Sequence, residues 1–285
     1  MDLTSPKVIR SIQSKFGFTF KKGLGQNFLT SDKVLDEIVR ASNPEGGVLE
    51  IGPGFGVLTQ ALAQSAQKVA AVEVDDRLLE VLDYTLAEYD NVKIIHGDVM
   101  KIDLHELIKA EFADMPVSVA ANLPYYITTP VITRLLEEKL PVDNIVVMVQ
   151  KEVAERLSAK EGTKEYGAIT VLCRYYTEPE VVTVVPASMF VPPPKVDSAV
   201  LRMKVLSEPS VKVKDERTFF KVVKAAFAQR RKTLLNCLCS AFPIPKPDMT
   251  EILTDTVGNA SRRGETLSLE EFAKVSDIIY ERMNA

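Results

Sequence analysis

Residues 49–59 read LEIGPGFGVLT, a short apolar run that enters a turn with glycine at 52, 54 and 56 and then a helical pattern. Glycine lets a backbone pass close to a ligand at points where a Cβ atom would clash. The spacing is not the GxGxxG of dinucleotide enzymes, and a plain strand-to-helix turn explains such a stretch equally well when nothing else accompanies it. The stretch therefore predicts a βα unit, and its function depends on the neighbouring strand ends.

The chain around this turn alternates short apolar runs with amphipathic segments, which is typical of a parallel sheet flanked by helices. The predicted strands are residues 48–51, 69–74, 92–95, 117–121 and 144–149. This pattern predicts an α/β fold, a doubly wound, Rossmann-like sheet with ligands at the carboxyl ends of its strands. Residues 178–186 and 197–205 are rich in β-branched residues and flank the proline-rich SMFVPPPKV, so we expect an antiparallel hairpin at the sheet edge.

The character of the chain changes near residue 206. A polar stretch with a proline is followed by helical patterns that extend to the end, apart from an interruption at FPIPKP, residues 242–247. We therefore predict a large α/β domain over residues 1–205, with a basic arm over 1–24, and a small all-α domain over 206–285.

Composition excludes several classes of protein. With 285 residues, 46% of them hydrophobic, the chain has the composition of an ordinary globular protein. Its net charge of -4 argues against a protein that binds nucleic acid without sequence or site specificity. No apolar stretch has the length of a signal peptide or a membrane span, so we expect a cytosolic protein. Three cysteines and two histidines give no zinc pattern and no disulfide framework, so we expect no metal.

Acidic residues follow two of the predicted strands. Glu73 ends the second strand, some 20 residues after the glycine turn, where a carboxylate can accept hydrogen bonds from two ribose hydroxyls. Asp98 ends the third strand, where a carboxylate can accept from an adenine amino group. Either acid alone is an ordinary turn residue or helix cap. Together with the glycine turn they indicate an adenosine-bearing cofactor, which at this point includes NAD.

The fourth strand runs into AANLPYYITTP, residues 120–130, which resembles the signature turn of amino-methyltransferases. The exocyclic amine of adenine is a poor nucleophile because its lone pair is delocalised into the ring. The side-chain oxygen of Asn122 and the carbonyl of Leu123 can accept both amine hydrogens, while Pro124 stiffens the turn. Tyr125 offers a ring for stacking on the base. These residues favour S-adenosylmethionine as the cofactor, with catalysis by positioning and aimed dipoles.

Further motifs make the chain similar to the ribosomal RNA adenine dimethyltransferases of the KsgA/RsmA type. These are KGLGQNFL at residues 22–29, the glycine turn, VEVD, GDVMKID, NLPYYITTP, and MFVPPPKVDSAV at residues 189–200. The resemblance implies an enzyme that dimethylates N6 of two adjacent adenines in the 3′-terminal hairpin loop of 16S rRNA, within the small subunit or its precursor. It also implies that the protein acts as a monomer.

The resemblance assigns roles to individual residues. The implied cofactor contacts are Gln26, Asn27, Leu29, Gly52, Gly54, Glu73, Asp98 and Asn122. Phe190 is implied to pack on the extruded base, which it would hold together with Tyr125. A basic helix over residues 221–232 is expected to hold phosphates through Lys221, Arg230, Arg231 and Lys232, although a solvated helix face explains such a charge run equally well.

Three alternatives remain open. A 23S rRNA adenine methyltransferase of the antibiotic-resistance type would share the fold and the cofactor motifs. A ribosome-assembly or RNA-binding factor, whose catalysis is secondary, would share the RNA contacts. A nicotinamide oxidoreductase is the most distant alternative, because the turn at residues 122–125 does not serve hydride transfer.

Overall fold

The computed structural model describes residues 1–17, 27–229 and 231–284, which form two compact units. The first unit comprises residues 1–154 and 178–205, and the second comprises residues 155–177 and 206–285. The strands are β1 (Phe28–Leu29), β2 (Gly47–Ile51), β3 (Lys68–Glu73), β4 (Val92–His96), β5 (Val117–Asn122), β6 (Asn144–Gln150), β7 (Thr177–Val185), β8 (Phe190–Val191) and β9 (Ser198–Val205).

The helices alternate with these strands in the first unit and then fill the second. They are α1 (Pro6–Lys15), α2 (Asp32–Ser42), α3 (Val57–Ala63), α4 (Leu79–Thr85), α5 (Leu104–Phe112), α6 (Thr128–Glu137), α7 (Lys151–Leu157), α8 (Ala168–Tyr176), α9 (Glu216–Ala228), α10 (Leu234–Ala241), α11 (Lys246–Val257) and α12 (Leu269–Asn284). Across the described ranges, no helix has both the length and the apolar character that crossing a bilayer requires.

The main sheet has the strand order β4-β3-β2-β5-β6-β9-β7. Strands β2 to β6 pair in parallel, and β9 joins β6 in the antiparallel direction. Chain order reverses between the neighbours β2 and β5, which makes their carboxyl ends a topological switch point where open α/β sheets bind ligands. All five residues of β2 are buried, as expected for a strand with covered faces. The predicted doubly wound fold is confirmed.

One short pairing lies outside what the sequence predicts. The proline-rich loop between β7 and β9 contains β8, which pairs antiparallel with β1 near the start of the described chain. Strands β7 and β9 are neighbours at the sheet edge, where the sequence places them. The β1–β8 pairing joins segments some 160 residues apart, so no local sequence pattern predicts it.

The second unit has its own hydrophobic core, and the segment 155–177 belongs to it. The sequence-based division assigned this segment to the first domain. Tyr175 of α8, however, stacks on Phe219 of α9 with ring centroids 4.9 Å apart, and Tyr166 and Val171 are buried in the same core. An amphipathic helix packs wherever its apolar face finds a partner, and the pattern alone does not say where that partner lies.

The prediction of a basic helix over residues 221–232 is wrong at the C-terminal end of that helix. Helix α9 stops at Ala228, and Thr233 begins α10 by accepting a hydrogen bond at Oγ1 from the backbone N–H of Asn236 at 3.4 Å. An N-cap residue has extended backbone dihedrals, so a helix cannot run through Thr233. Arg231 and Lys232 therefore lie in the turn between two helices.

We predict that Phe219→Ala loosens α8 and α9 together. The side chain is fully buried, so the free energy of unfolding should fall by about 3–5 kcal/mol. Hydrogen exchange should then accelerate in residues 168–176 and 216–228 but not in β2 to β6. The matched control is Phe112→Ala, a fully buried change in the first unit, which should leave α8 protected. Unaltered protection of α8 in the Phe219 variant would contradict its place in the second core.

Candidate active site

A cavity of about 370 Å³ lies at the carboxyl ends of the parallel strands in the first unit. It brings together eleven of the sixteen predicted site residues, from segments far apart in the chain. These lining residues are Asn27, Leu29, Gly52, Gly54, Glu73, Asp98, Asn122, Leu123, Pro124, Tyr125 and Phe190. The strand ends therefore meet in one site, as the sequence predicts.

The glycine turn that follows β2 adopts backbone angles that favour glycine. Gly52 has φ +69°, and a Cβ atom added there would meet no atom of the described chain within 4 Å apart from its chain neighbours. Gly54 has φ +61°, and a Cβ atom there would lie 2.9 Å from Cε1 of Phe28. Phe28 in turn stacks on Phe55 with a centroid distance of 4.2 Å. Glycine at 52 thus keeps space open in the cavity, whereas glycine at 54 also admits the Phe28 ring.

Glu73 is 5% exposed and is held by backbone N–H groups on both of its oxygens. Asp75 N–H donates to Oε1 at 2.8 Å, and Gly54 N–H donates to Oε2 at 3.3 Å. Burial raises the pKa of Glu73, and these two donors partly offset that effect. A carboxylate oxygen accepts more than one hydrogen bond, so both oxygens can still accept from the hydroxyls of a ribose.

Asp98 shapes the loop that follows β4. Its Oδ1 atom accepts from the backbone N–H of Met100 at 2.9 Å, and Lys101 Nζ lies 3.5 Å from Oδ2. About a third of the side chain is exposed, at 33%. The carboxylate is therefore oriented by its own turn and remains accessible from the cavity that it lines.

Arg134 of α6 fixes this loop from the opposite side. Its Nη2 donates to the carbonyl of Ile102 at 2.7 Å, and its Nη1 donates to the carbonyl of Val99. Its Nε donates to Glu138 at 2.6 Å. Because α6 starts directly after the turn at residues 122–127, Arg134 links the Asp98 loop to the helix that carries that turn. The sequence offers no signal for this role, since the acceptors lie more than 30 residues away.

Asn122 is oriented by a hydrogen bond to the backbone of Asn27. Its Nδ2 donates to the carbonyl of Asn27 at 3.1 Å, and since a carbonyl can only accept, the amide nitrogen must face Asn27. The side-chain oxygen Oδ1 is then the acceptor that Asn122 can offer to a ligand. The Pro124 carbonyl accepts from Ile127 N–H at 3.1 Å and from the Thr128 hydroxyl at 3.2 Å, which leaves the Leu123 carbonyl as the backbone candidate.

The cavity has two aromatic residues beside Asn122, namely Tyr125 in the same turn and Phe190. Tyr125 is half-buried, its hydroxyl lies 2.9 Å from Oγ of Ser198, and burial raises its pKa. Phe190 of β8 is 3% exposed, lines the cavity and pairs with Leu29 of β1. Thr30 strengthens this pairing, because its N–H and its hydroxyl each lie 2.9 Å from the Met189 carbonyl. The segment that carries Asn27 and Leu29 is thereby joined to the loop that carries Phe190.

Glu50 is a cavity residue that the sequence reasoning missed. It is 1% exposed, and among the described residues its Oε2 atom has no hydrogen-bond partner. Burial raises its pKa to about 8, and the nearby Glu73 charge acts in the same direction. The available signal was an acid inside the apolar strand VLEI, since buried acids are rare unless they are paired or functional.

The predicted phosphate-binding residues that the structure describes do not line the cavity. Lys221, Arg231 and Lys232 are exposed in the second unit, and Lys221 Nζ lies 4.5 Å from the ring centroid of Phe242. Gln26 and Arg230 lie outside the described residues.

The sheet order, the glycine turn, the two strand-end acids and the Asn-Leu-Pro-Tyr turn define a Rossmann-like class I methyltransferase. The family model described as ribosomal RNA adenine dimethylase matches residues 17–276. The chain therefore belongs to the ribosomal RNA adenine dimethylase family, and the predicted enzyme class, an rRNA adenine dimethyltransferase, is confirmed.

Similar proteins agree with this membership. The chain is 52% identical over 284 residues to proteins named ribosomal RNA small subunit methyltransferase A from Bacillus cytotoxicus and Geobacillus thermodenitrificans, covering 98% of this chain and 97% of each relative. A dimethyladenosine transferase structure from Plasmodium falciparum has a TM-score of 0.73 at 26% identity, covering 87% of this chain and 95% of that one. The 23S rRNA methyltransferase ErmE has a TM-score of 0.67 at 25% identity, covering 91% and 100%.

We predict that Glu50 makes the ligand-free protein less stable as pH rises. Its pKa is about 8 in the folded state and 4.5 in the reference state, so between these values the folded chain holds a proton that the unfolded chain has released. The free energy of unfolding therefore falls across this window, by up to roughly 4 kcal/mol. Denaturant unfolding from pH 5 to pH 8 should show this loss in the native protein and not in Glu50→Gln.

The control for this measurement is Glu88→Gln, which changes an exposed carboxylate in the first unit. This variant should keep the pH profile of the native protein. Identical profiles for the native protein and the Glu50 variant would show that Glu50 is not the group responsible.

We also predict that Arg134→Ala frees the loop after β4. The carbonyls of Val99 and Ile102 lose a charged donor, so the free energy of unfolding should fall by about 2 kcal/mol and amide exchange over residues 98–102 should accelerate. Arg134→Lys should recover part of the protection, since an ammonium can reach one carbonyl. Arg40→Ala, at an exposed position of α2, is the control. Unchanged exchange in this loop would refute the link.

Proposed function

We propose that this enzyme uses S-adenosylmethionine to dimethylate N6 of two adjacent adenines in the 3′-terminal hairpin loop of 16S rRNA, in the small subunit or its precursor. The observation that carries the proposal is the orientation of Asn122 by the Asn27 carbonyl, in the same cavity as Glu73 and Asp98. The names of relatives 52% identical over nearly the whole chain support a small-subunit substrate. Such a substrate favours a cytoplasmic enzyme, and we take it to act as a monomer.

The cavity fits the proposed cofactor. Glu73 would accept from the ribose hydroxyls, and Asp98 from the adenine amino group. Among the described residues, the space at Gly52 is open and the buried Oε2 of Glu50 has no hydrogen-bond partner, which suits a polar, cationic amino-acid portion. Asn27 and Leu29 line the same cavity, and the resemblance adds Gln26. When bound, S-adenosylmethionine supplies an electrophilic methyl group attached to a sulfonium.

The turn at residues 122–125 then activates the target amine by geometry. Oδ1 of Asn122 and the carbonyl of Leu123 accept the two hydrogens on N6, so that the nitrogen lone pair is directed out of the ring system. Leu123 is 1% exposed and its N–H donates to the Met148 carbonyl at 3.2 Å, which holds the acceptor in place. No strong base is required, because the nitrogen becomes acidic once its lone pair is used. Pre-aimed acceptors of this kind are an efficient form of catalysis.

Tyr125 and Phe190 would hold the target base between them. Tyr125 is tethered through Ser198, and Phe190 through the β1–β8 pairing, so neither ring has to be ordered when the base binds. A base in a hairpin loop can enter such a site without the unpairing cost, a few kcal/mol, that a base in a duplex incurs. This favours a loop substrate over a helical one.

Phosphates are assigned to cations of the second unit, namely Lys221, Arg231 and Lys232, together with Arg230 and the basic arm. The described members of this group are exposed, as phosphate contacts require. Local contacts of this kind are compatible with the net charge of -4, because only the charges near the backbone matter at short range.

A second candidate is methylation of 23S rRNA, which the structural similarity to ErmE favours. The identity to ErmE is 25%, however, against 52% to the small-subunit relatives, so we favour the small subunit. Incubation of purified, unmethylated subunits with labelled cofactor discriminates between them. Label in small-subunit adenines, located by mass mapping, supports the proposal, and label confined to the large subunit overturns it.

We predict that Asn122→Ala lowers kcat by about 10²- to 10³-fold, because an aimed acceptor is lost from the transition state. Binding of small subunits, measured by co-sedimentation, should be retained, which separates catalysis from any role in assembly. Asn122→Asp should also be impaired, because a carboxylate cannot donate to the Asn27 carbonyl. Asn284→Ala removes a similar amide-to-carbonyl bond in α12 and should be neutral. Methylation at the native rate by the Ala variant would remove Asn122 from the mechanism.

A further inference from the structure

Tyr126 is exposed at the edge of the cavity without a structural reason inside the described chain. It is 57% exposed and contributes to the cavity lining. Over the described ranges, no ring, cation or hydrogen-bonding group contacts its side chain. The Tyr126 ring therefore offers an apolar face that a ligand can cover, and covering it would be favourable.

Tyr84 provides an internal comparison. It is 42% exposed, yet Lys15 Nζ lies 3.2 Å from its ring centroid and the Phe16 ring lies 5.6 Å away. The Tyr84 ring is thus partly covered by Lys15 at the end of α1 and by Phe16, which follows this helix. Within the described ranges Tyr126 has no such partner, so its ring is available to a ligand.

The residues before and after Tyr126 in the chain are held by hydrogen bonds. Tyr125 is fixed through its hydroxyl contact with Ser198, and Ile127 N–H donates to the Pro124 carbonyl at 3.1 Å. Helix α6 begins two residues after Tyr126. Little backbone freedom is lost when a ligand binds a ring mounted in this way, which is the condition for an effective stacking platform.

We propose that Tyr126 stacks on the base next to the adenine that occupies the cavity, and so binds the second nucleotide of the substrate. This inference rests on the proposed function. With the target base held by Tyr125 and Phe190, the next base of a single strand lies outside the cavity mouth, where the Tyr126 ring is exposed. Stacking of this kind accepts any base, because every base has a π face. When one of the two adjacent adenines occupies the cavity, the Tyr126 ring stacks on the other adenine.

The test uses a hairpin RNA whose loop contains two adjacent adenines, and a second RNA in which one adenine is replaced by an abasic nucleotide. Methyl transfer from labelled S-adenosylmethionine gives kcat/KM for each RNA. Tyr126→Leu should lower kcat/KM about tenfold on the intact RNA, mainly through KM, and have little effect on the abasic RNA. Tyr126→Phe keeps the ring and should match the native protein on both RNAs. Tyr89→Leu is the control for loss of a partly exposed tyrosine of the first unit outside the cavity.

The outcomes separate this inference from the function on which it rests. Equal losses on the two RNAs, or no loss on either, would overturn the role of Tyr126 while leaving the methyltransferase intact. Failure of the native protein to methylate the hairpin or purified small subunits would instead count against the proposed function. Calorimetry with S-adenosylhomocysteine should give the native affinity for Tyr126→Leu, and a large decrease would show damage to the cofactor site instead of a lost base contact.

Discussion

The pairing of β2 with both β3 and β5 is the constraint on which the site depends. Ile51 is opposite Val72 on one side and Ala121 on the other, so the residues that follow these strands leave the sheet side by side. The glycine turn, Glu73 and Asn122 are brought together by this register, although some 70 residues separate the first from the last. A shift of one residue in either pairing would turn the strand-end side chains to the opposite face of the sheet.

Buried carboxyl groups are the second feature of the site. Glu50 and Glu73 lie in the same cavity, where removal from water raises the pKa of both. The two are treated differently: Glu73 has backbone donors on both oxygens, whereas Oε2 of Glu50 has no partner in the described chain. A buried acid without a partner lowers the free energy of unfolding when it ionises. A bound cation would remove this penalty, so the group reduces the stability of the free protein and favours binding of a cation.

The walls of the cavity are linked to one another through long-range contacts. Asn27 orients Asn122, β1 pairs with β8, and Arg134 ties the Asp98 loop to α6. Cofactor and base are therefore expected to bind against loops that already support each other. Such support reduces the ordering cost of binding and holds the acceptors where a reacting amine needs them.

The sequence by itself determined the strands of the parallel sheet and the residues at their ends, because strand periodicity, the glycine turn and the Asn-Leu-Pro-Tyr turn are local signals. Tertiary structure alone decided which distant groups meet. Arg134 donates to carbonyls 32 and 35 positions away, and α8 packs in the second core. Helix α9 ends at Ala228, before the last cations of the basic helix that charge alone suggested. Burial of Glu50 and exposure of Tyr126 are likewise properties of the assembled cavity, since solvent access depends on neighbours that no short stretch of sequence contains.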